Sequence, residues 1–239
     1  MMFLSNIAYA LRHLRKNLFF SGIVIFCLAV GIGANTALFS VADLLFLRAL
    51  PYKDPDRIMM LWDTYAGAAG EVETFSAAPA NFDAWKKGST SFEALEAIQL
   101  KSYNLTSRGE PLRVEGAAVS HGFFRLFGVQ PLHGRSFSPE EDRPGGPLAV
   151  MLSHGLWQRQ FQADLKVLGS SVLLDDEPYV IVGVMPPEFR FPHASDLWTP
   201  LALDPLQAPA RTFHTLYVAG RLGPEASLEQ AQQEIQTIA

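Results

Sequence analysis

The sequence predicts an α+β domain, a mixed α/β body with a largely mixed or antiparallel sheet, hung from one N-terminal transmembrane helix. Three observations predict it. Residues 18–41 (LFFSGIVIFCLAVGIGANTALFSV) hold no Asp, Glu, Lys, Arg or His. Beyond residue 50, short runs with strand character alternate irregularly with short helical ones. Two of the turns between them, Arg108-Gly109-Glu110-Pro111 and Asp176-Glu177-Pro178, have hairpin form.

The apolar run comes first. As a helix it is about 36 Å long, enough to cross a hydrocarbon core of about 30 Å with some tilt. A signal peptide is the alternative, because Arg12, Arg15 and Lys16 stand just ahead. Signal peptides, however, use a shorter apolar core and a small-x-small cleavage site, and neither is present. Residues 18–47 are therefore expected to be an uncleaved span and its extension. Residues 1–17, with Phe3, Leu4, Ile7, Ala8, Leu11 and Leu14 at helical spacing, are expected to lie along the inner membrane face. The short basic N-terminal side favours a cytoplasmic N-terminus and an outer domain over 48–239. Within the span, Ala29, Gly33 and Ala37 recur every four residues, spacing that lets a second helix approach closely, with Asn35 as a hydrogen-bond donor beside them.

Pro51 and Pro55 mark the exit from the membrane. Residues 57–64 have strand character, and a small-residue loop follows at 66–70. Residues 80–87, with Phe82 and Trp85 three apart, and 91–97, begun by a Ser cap, predict two short helices. Residues 98–107 and 112–119 form the first hairpin. Ser120 is expected to cap a helix carrying Phe123, Phe124 and Phe127, stopped by Gly128. Residues 138–147 form an exposed loop. Residues 148–152 are a strand, and Ser153 caps a helix through Trp157 and Phe161. The second hairpin spans 172–185, residues 197–200 are an edge segment, and 212–222 a strand. Ser227-Leu228-Glu229-Gln230 is a capping box opening a last helix with Leu228, Ala231, Ile235 and Ile238 along one stripe.

Charge and motif exclude several functions. Residues 1–60 carry six Lys or Arg against three Asp, whereas the whole chain has a net charge of −5, so the body is acidic. Nucleic-acid binding needs clustered Lys and Arg and is not expected. The single cysteine, Cys27, lies in the span, which excludes an intrachain disulfide. The dipeptide Gly-Lys is absent, so there is no P-loop, and no His-Glu-x-x-His occurs. The six histidines show no metal-ligand spacing. Ser153 is the best nucleophile candidate, but Met151 stands where a nucleophile elbow wants Gly. Its expected role is the helix cap. Asp175-Asp176-Glu177 is expected to be solvated, and Asn104-Leu105-Thr106 matches a glycosylation sequon. No catalytic, cofactor or metal residue is expected.

Several stretches together resemble the MacB/FtsX-type ABC transporter permeases in their form with a MacB-like periplasmic core domain. They are residues 28–41 (LAVGIGANTALFSV), Leu50-Pro51-Tyr52, Asp54-Pro55-Asp56-Arg57, Phe123-Phe124, Phe127-Gly128-Val129, Gly134-Arg135-Ser136-Phe137, Glu140-Glu141-Asp142, residues 152–157 (LSHGLW), Gly169, residues 182–187 (VGVMPP), Gly220-Arg221-Leu222 and residues 227–231 (SLEQA). The resemblance implies a bacterial inner-membrane permease subunit with a cytoplasmic N-terminus. It also implies a periplasmic domain with a β-rich insertion, a separate cytoplasmic ATPase that binds ATP, export or mechanotransmission, and a homo- or pseudo-dimer of permease halves. The further membrane helices of such permeases do not follow here, which makes the expectation a piece of a longer permease. A single-span anchored binding or sensing module is the alternative, and an anchored hydrolase built on Ser153 a remote third.

Overall fold

The structure, a computed structural model, describes residues 18–42, 52–66, 72–106, 111–192, 194–204 and 213–238. The expected amphipathic segment at 1–17, the span's extension to 47, the small-residue loop over 67–70 and the first hairpin's turn at 107–110 lie outside the described residues. By its contacts the chain divides into two units, Met1–Leu50 and Pro51–Ala239.

The first unit contains α1, Leu18–Ala42. Its segment Ser21–Phe39 is long and apolar enough to cross a bilayer. Burying so apolar a cylinder needs either lipid or other helices, since side chains from Phe19 to Phe39 face outward along most of its length.

Among its described residues the second unit has eleven strands. They are β1 (Ile58–Leu61), β2 (Asp63–Ala66), β3 (Val72–Phe75), β4 (Phe92–Thr106), β5 (Leu112–Val119), β6 (His133–Gly134), β7 (Ala149–Leu152), β8 (Ser171–Leu174), β9 (Glu177–Val184), β10 (Leu197–Pro200) and β11 (Tyr217–Leu222). Four α-helices accompany them among the described residues: α2 (Pro79–Gly88), α3 (Phe123–Leu126), α4 (His154–Phe161) and α5 (Leu228–Ile238). The main sheet has the order β1-β11-β4-β5-β10-β7-β9-β6, with β8 bridging β4 and β9, while β2 and β3 form a separate hairpin. Strand β11 runs antiparallel between β1 and β4, so β1-α2-β4 is a split crossover with β11 filling the gap. All strands from β5 to β10 are inserted in the sequence between the neighbours β4 and β11.

Strand β4, 15 residues long, contributes to all three hydrophobic clusters. Ile98 joins an aromatic cluster with Phe123, Phe124, Phe127, Phe189 and Trp198. In it Phe124 and Trp198 meet edge to face at 5.8 Å, the geometry that ring quadrupoles favour. Tyr103 and Leu105 join a second cluster with Leu152, Leu156, Trp157 and Ile181. Leu95 and Ala97 join a third with Leu61, Phe82, Trp85 and Val218.

Four expectations are corrected. Residues 91–97 are strand rather than helix: Phe92–Ile98 pairs antiparallel with Tyr217–Leu222 of β11, and that ladder outweighs the helix propensity of its Glu, Ala and Leu. Ser120 does not cap α3, whose N-cap is Gly122; its hydroxyl turns to β4, accepting from Ala97 N at 2.9 Å and donating to the buried Glu96. Residues 197–200 are interior, not edge: β10 lies parallel to β5 and antiparallel to β7, with Leu197 and Trp198 fully buried. The loop at 138–147 is not wholly exposed, because Glu141 is buried and accepts from Arg135 and from Ser138 N.

Other local expectations hold. The Ser153 hydroxyl accepts from Leu156 N at 3.0 Å, and Ser227 and Gln230 exchange the two bonds of a capping box. The second hairpin turns on Asp175 and Asp176, one residue earlier than read, and both have positive φ, 49° and 69°.

One glycine pair separates backbone strain from steric clash. Gly134 has φ +81° and a Cβ there would stand 2.2 Å from Val182 O; Gly145 has φ +74° and open space. Gly145→Ala is expected to cost about 1 kcal/mol through left-handed strain alone. Gly134→Ala should cost about 3 kcal/mol, because β6 must also leave β9. Urea unfolding of the whole chain in detergent, followed by tryptophan fluorescence, measures the difference.

Candidate functional site

On α1, Ala29, Gly33 and Ala37 lie one above another, as positions four apart must. All three are exposed, and a Cβ built on Gly33 meets nothing within 4 Å. Asn35 is also exposed, but two residues from Gly33 it projects from the opposite side of the helix. One seam therefore takes the small residues or Asn35, not both.

The first residues of the second unit are held by a buried cation. Arg221, on β11, is 5% exposed and spends its guanidinium on main-chain carbonyls: Nε on Leu126 O at 2.8 Å, Nη2 on Lys53 O at 2.6 Å, and Nη1 on Asp54 O at 3.5 Å. Lys53 N in turn donates to Phe127 O at 3.1 Å. Tyr52 packs edge-on against Phe127 at 4.9 Å and Phe189 at 6.1 Å, and burial pushes its phenol pKa up. Gly128, with φ +70°, permits the close pass: a Cβ there would come within 2.5 Å of Lys53 Cβ. One turn on, Arg57 donates Nε to Leu222 O at 2.9 Å and Nη2 to Glu93 at 2.6 Å. The strand that follows, β1, thus starts from a segment tied to β11, β4 and α3 together.

A second feature lies beside β1. A cavity of about 710 Å³ opens between β1 with β2, helix α2 and helix α5. Its wall is apolar over most of its extent, with Met60, Trp62, Phe75 and Leu228 exposed at the rim. At one end Asp63, 7% exposed, accepts from Ala78 N at 2.9 Å and Asn81 Nδ2 at 3.0 Å, and His214 Nδ1 lies 3.2 Å away. His214 Nδ1 also meets Ser76 O at 2.8 Å.

Helix α5, which walls the cavity, is fastened by Glu234. Its carboxylate accepts from Thr90 N and Thr90 Oγ1, each at 2.7 Å, and from Ser91 N at 2.9 Å. Burial pushes its pKa up, and the hydrogen bonds from Ser91 and Thr90 together overcome that and lower it to about 2.

The remaining sequence candidates are placed apart. Ser153 is 7% exposed with its hydroxyl spent on the cap, and His154 packs on Trp157 at 5.6 Å. Asp175 accepts from Asn104 N and Nδ2, both at 2.9 Å, so one of the three turn acids has a structural partner. Sequence reasoning assigned no role to Arg221 or Asp63. Their signal is a lone charge within an otherwise apolar strand, at Gly220-Arg221-Leu222 and Leu61-Trp62-Asp63.

A clamped entry, a split crossover and a long inserted sheet define a class: an α/β domain hung from an apolar helix. The MacB-like periplasmic core domain model matches residues 21–238, and the chain belongs to that family, which is found in ABC transporter permeases and is not a known enzyme class. The periplasmic region of MacB from Actinobacillus actinomycetemcomitans is similar in fold, with a TM-score of 0.57 and 13% identity over 76% of this chain and 82% of that one. A domain of a protein described as a permease, from Porphyromonas gingivalis, gives 0.58 and 17% over 80% and 83%. No curated protein matches the chain.

Removing the Arg221 guanidinium leaves buried carbonyls without a donor. Arg221→Met is expected to cost about 3 kcal/mol or more, and Arg221→Lys, with a single donor centre, about half of that; urea midpoints of the whole chain check the order. Glu234 supplies a pH dependence. Its folded pKa lies below the ordinary 4.5, so its contribution is complete above that value and is lost as pH falls toward about 2. The carboxylate is only half-buried, so the effect is under about 1 kcal/mol. Between pH 5 and pH 3 the unfolding midpoint of Glu234→Gln should fall less than that of the unaltered chain.

Proposed function

We propose that this chain is the membrane-entry part of a permease subunit of an ABC-type transporter or mechanotransmission complex. In it α1 crosses the bacterial inner membrane with its N-terminus in the cytoplasm. A separate cytoplasmic ATPase binds and hydrolyses ATP, and the motion of the membrane helices reaches the domain on the other side, in the service of export. A second permease half, identical or related, packs against the span through Ala29, Gly33 and Ala37, or alternatively through Asn35.

The observation that carries the proposal is the Arg221 clamp. A domain that merely needed tethering could follow its anchor on a slack linker. Here the residues from Tyr52 onward are hydrogen-bonded into the middle of the domain. A displacement arriving at Tyr52 is therefore delivered to β11, β4 and α3 rather than absorbed. The family membership and the basic residues Arg12, Arg15 and Lys16 support the membrane context and the orientation.

Two measurements test this. With Cys27 in the span as the one native cysteine, Arg143→Cys places a thiol at an exposed loop position. A membrane-impermeant maleimide should label that thiol in intact spheroplasts as fully as in lysed ones; labelling only after lysis overturns the orientation. Purification of the whole chain from its own membranes should carry an ABC ATPase in stoichiometric amount, and its absence under conditions that keep the chain folded would count against the permease assignment.

A further inference from the structure

A smaller cavity, of about 220 Å³, lies elsewhere on the main sheet, among residues that neither the clamp nor the span uses. One wall is a row across three strands: Gln99 of β4 stands opposite Ala118 of β5, and Ala118 opposite Thr199 of β10. Lys101, two residues on from Gln99, shares that face of the sheet. Tyr179 of β9 and the loop carrying Arg143 complete the lining. That loop is fixed by its own backbone. Gly146 N donates to Arg143 O at 2.8 Å, and a Cβ on Gly146 would stand 2.4 Å from Glu140 O. Beside Arg143, Asp142 accepts from Ala202 N at 2.9 Å and from His121 N at 2.8 Å.

Some polar groups of the lining are already spent. Glu141 accepts from Arg135 at 2.6 and 2.9 Å and from Ser138 N at 2.8 Å, and the hydroxyls of Thr199 and Tyr103 pair at 2.7 Å. What remains unspent has one electrical character. Lys101 and Arg143 are exposed, and neither forms an ion pair among the described residues. Glu140, the nearest acid in sequence, is held first by its own backbone N–H and by Ser138. Tyr179 is 9% exposed and packed in the second hydrophobic cluster, yet its hydroxyl, which is not sealed from solvent, has no hydrogen-bond partner among the described residues. Burial first, and then the charges of Glu177 and Asp175, push its pKa up, so the phenol keeps its proton and is a donor at neutral pH.

Two free cations and a hydroxyl donor around one small volume suit an oxyanion, which accepts from all three. The guanidinium fork matches phosphate and carboxylate alike. The volume is below that of sites for drug-sized ligands, so the occupant has few heavy atoms.

We propose that the cavity over Gln99, Ala118 and Thr199 is a binding site for one small oxyanion, a phosphate or carboxylate group, held by Lys101, Arg143 and the Tyr179 hydroxyl. The site lies wholly within the second unit and does not depend on the permease assignment.

The probe is radiolabelled inorganic phosphate, in equilibrium dialysis against the whole chain in phosphatidylcholine nanodiscs, with bare nanodiscs as the blank. One equivalent should bind saturably above the blank and be displaced by succinate but not by succinamide, its neutral counterpart. Lys101→Gln and Arg143→Gln should each weaken binding at least tenfold, and Tyr179→Phe, which keeps the ring, about fivefold. Urea midpoints establish that each variant is folded. Lys166→Gln, which removes an exposed cation outside the cavity, should change nothing. Nanodiscs containing phosphatidic acid, against matching bare ones, identify the source of the oxyanion. Retained phosphate binding there assigns the site to a dissolved anion, and its loss assigns it to a lipid headgroup. Phosphate binding no greater than the blank, displacement by succinamide, or full binding in a folded Arg143→Gln protein would overturn the proposal.

Discussion

A buried guanidinium with carbonyl partners is the constraint on which this domain's geometry rests. Arg221 gathers main-chain oxygens from the entry segment and from the end of α3, and does so from the strand that sits between β1 and β4. A buried guanidinium is costly to leave without hydrogen-bond acceptors. Three main-chain carbonyls, of Leu126, Lys53 and Asp54, accept from it, and moving either the entry segment or the end of α3 takes acceptors away. That coupling is why the entry, the split crossover and the aromatic cluster have one common arrangement. Tyr52 extends it from hydrogen bonding into packing, since its ring joins Phe127 and Phe189.

What was legible in the sequence was what is decided locally. The span is a matter of composition over residues 18–41, and needs no partner to be recognised. The caps at Ser153 and Ser227 depend on residues three positions away, so their patterns carry through to the fold. Ser120 shows the opposite. Its local pattern suits a cap, but a buried Glu96 on a distant strand competes for the hydroxyl and wins. Residues 91–97 contain good helix formers, and pairing with β11, far along the chain, makes them a strand. Residues 197–200 look peripheral because β5 and β7, the strands that enclose them, come from far along the chain.

The candidate sites were less legible than the fold, for the same reason. Arg221 and Asp63 are single charges whose partners are main-chain groups or lie in other elements, so no spacing announces them. The cavity draws on residues from β1 through α2 and again from His214 to α5, and no contiguous motif contains it. By contrast, the likeness to the MacB-like family runs over residues 21–238 and needs no single residue's role to be recognised.

The insertion of β5 to β10 between β4 and β11 also governs when the domain can form. Among the described residues β1 has one sheet partner, β11, which is made some 160 residues later. Until β11 arrives, β1 is an unpaired apolar strand on a nascent chain, and the residues meant to be clamped have no cation to hold them. Closing so long a loop is entropically slow, and it exposes a sticky edge in the meantime. Acquisition of structure therefore trails synthesis by most of the domain's length, which makes the emerging polypeptide a client for chaperones on whichever side of the bilayer it matures.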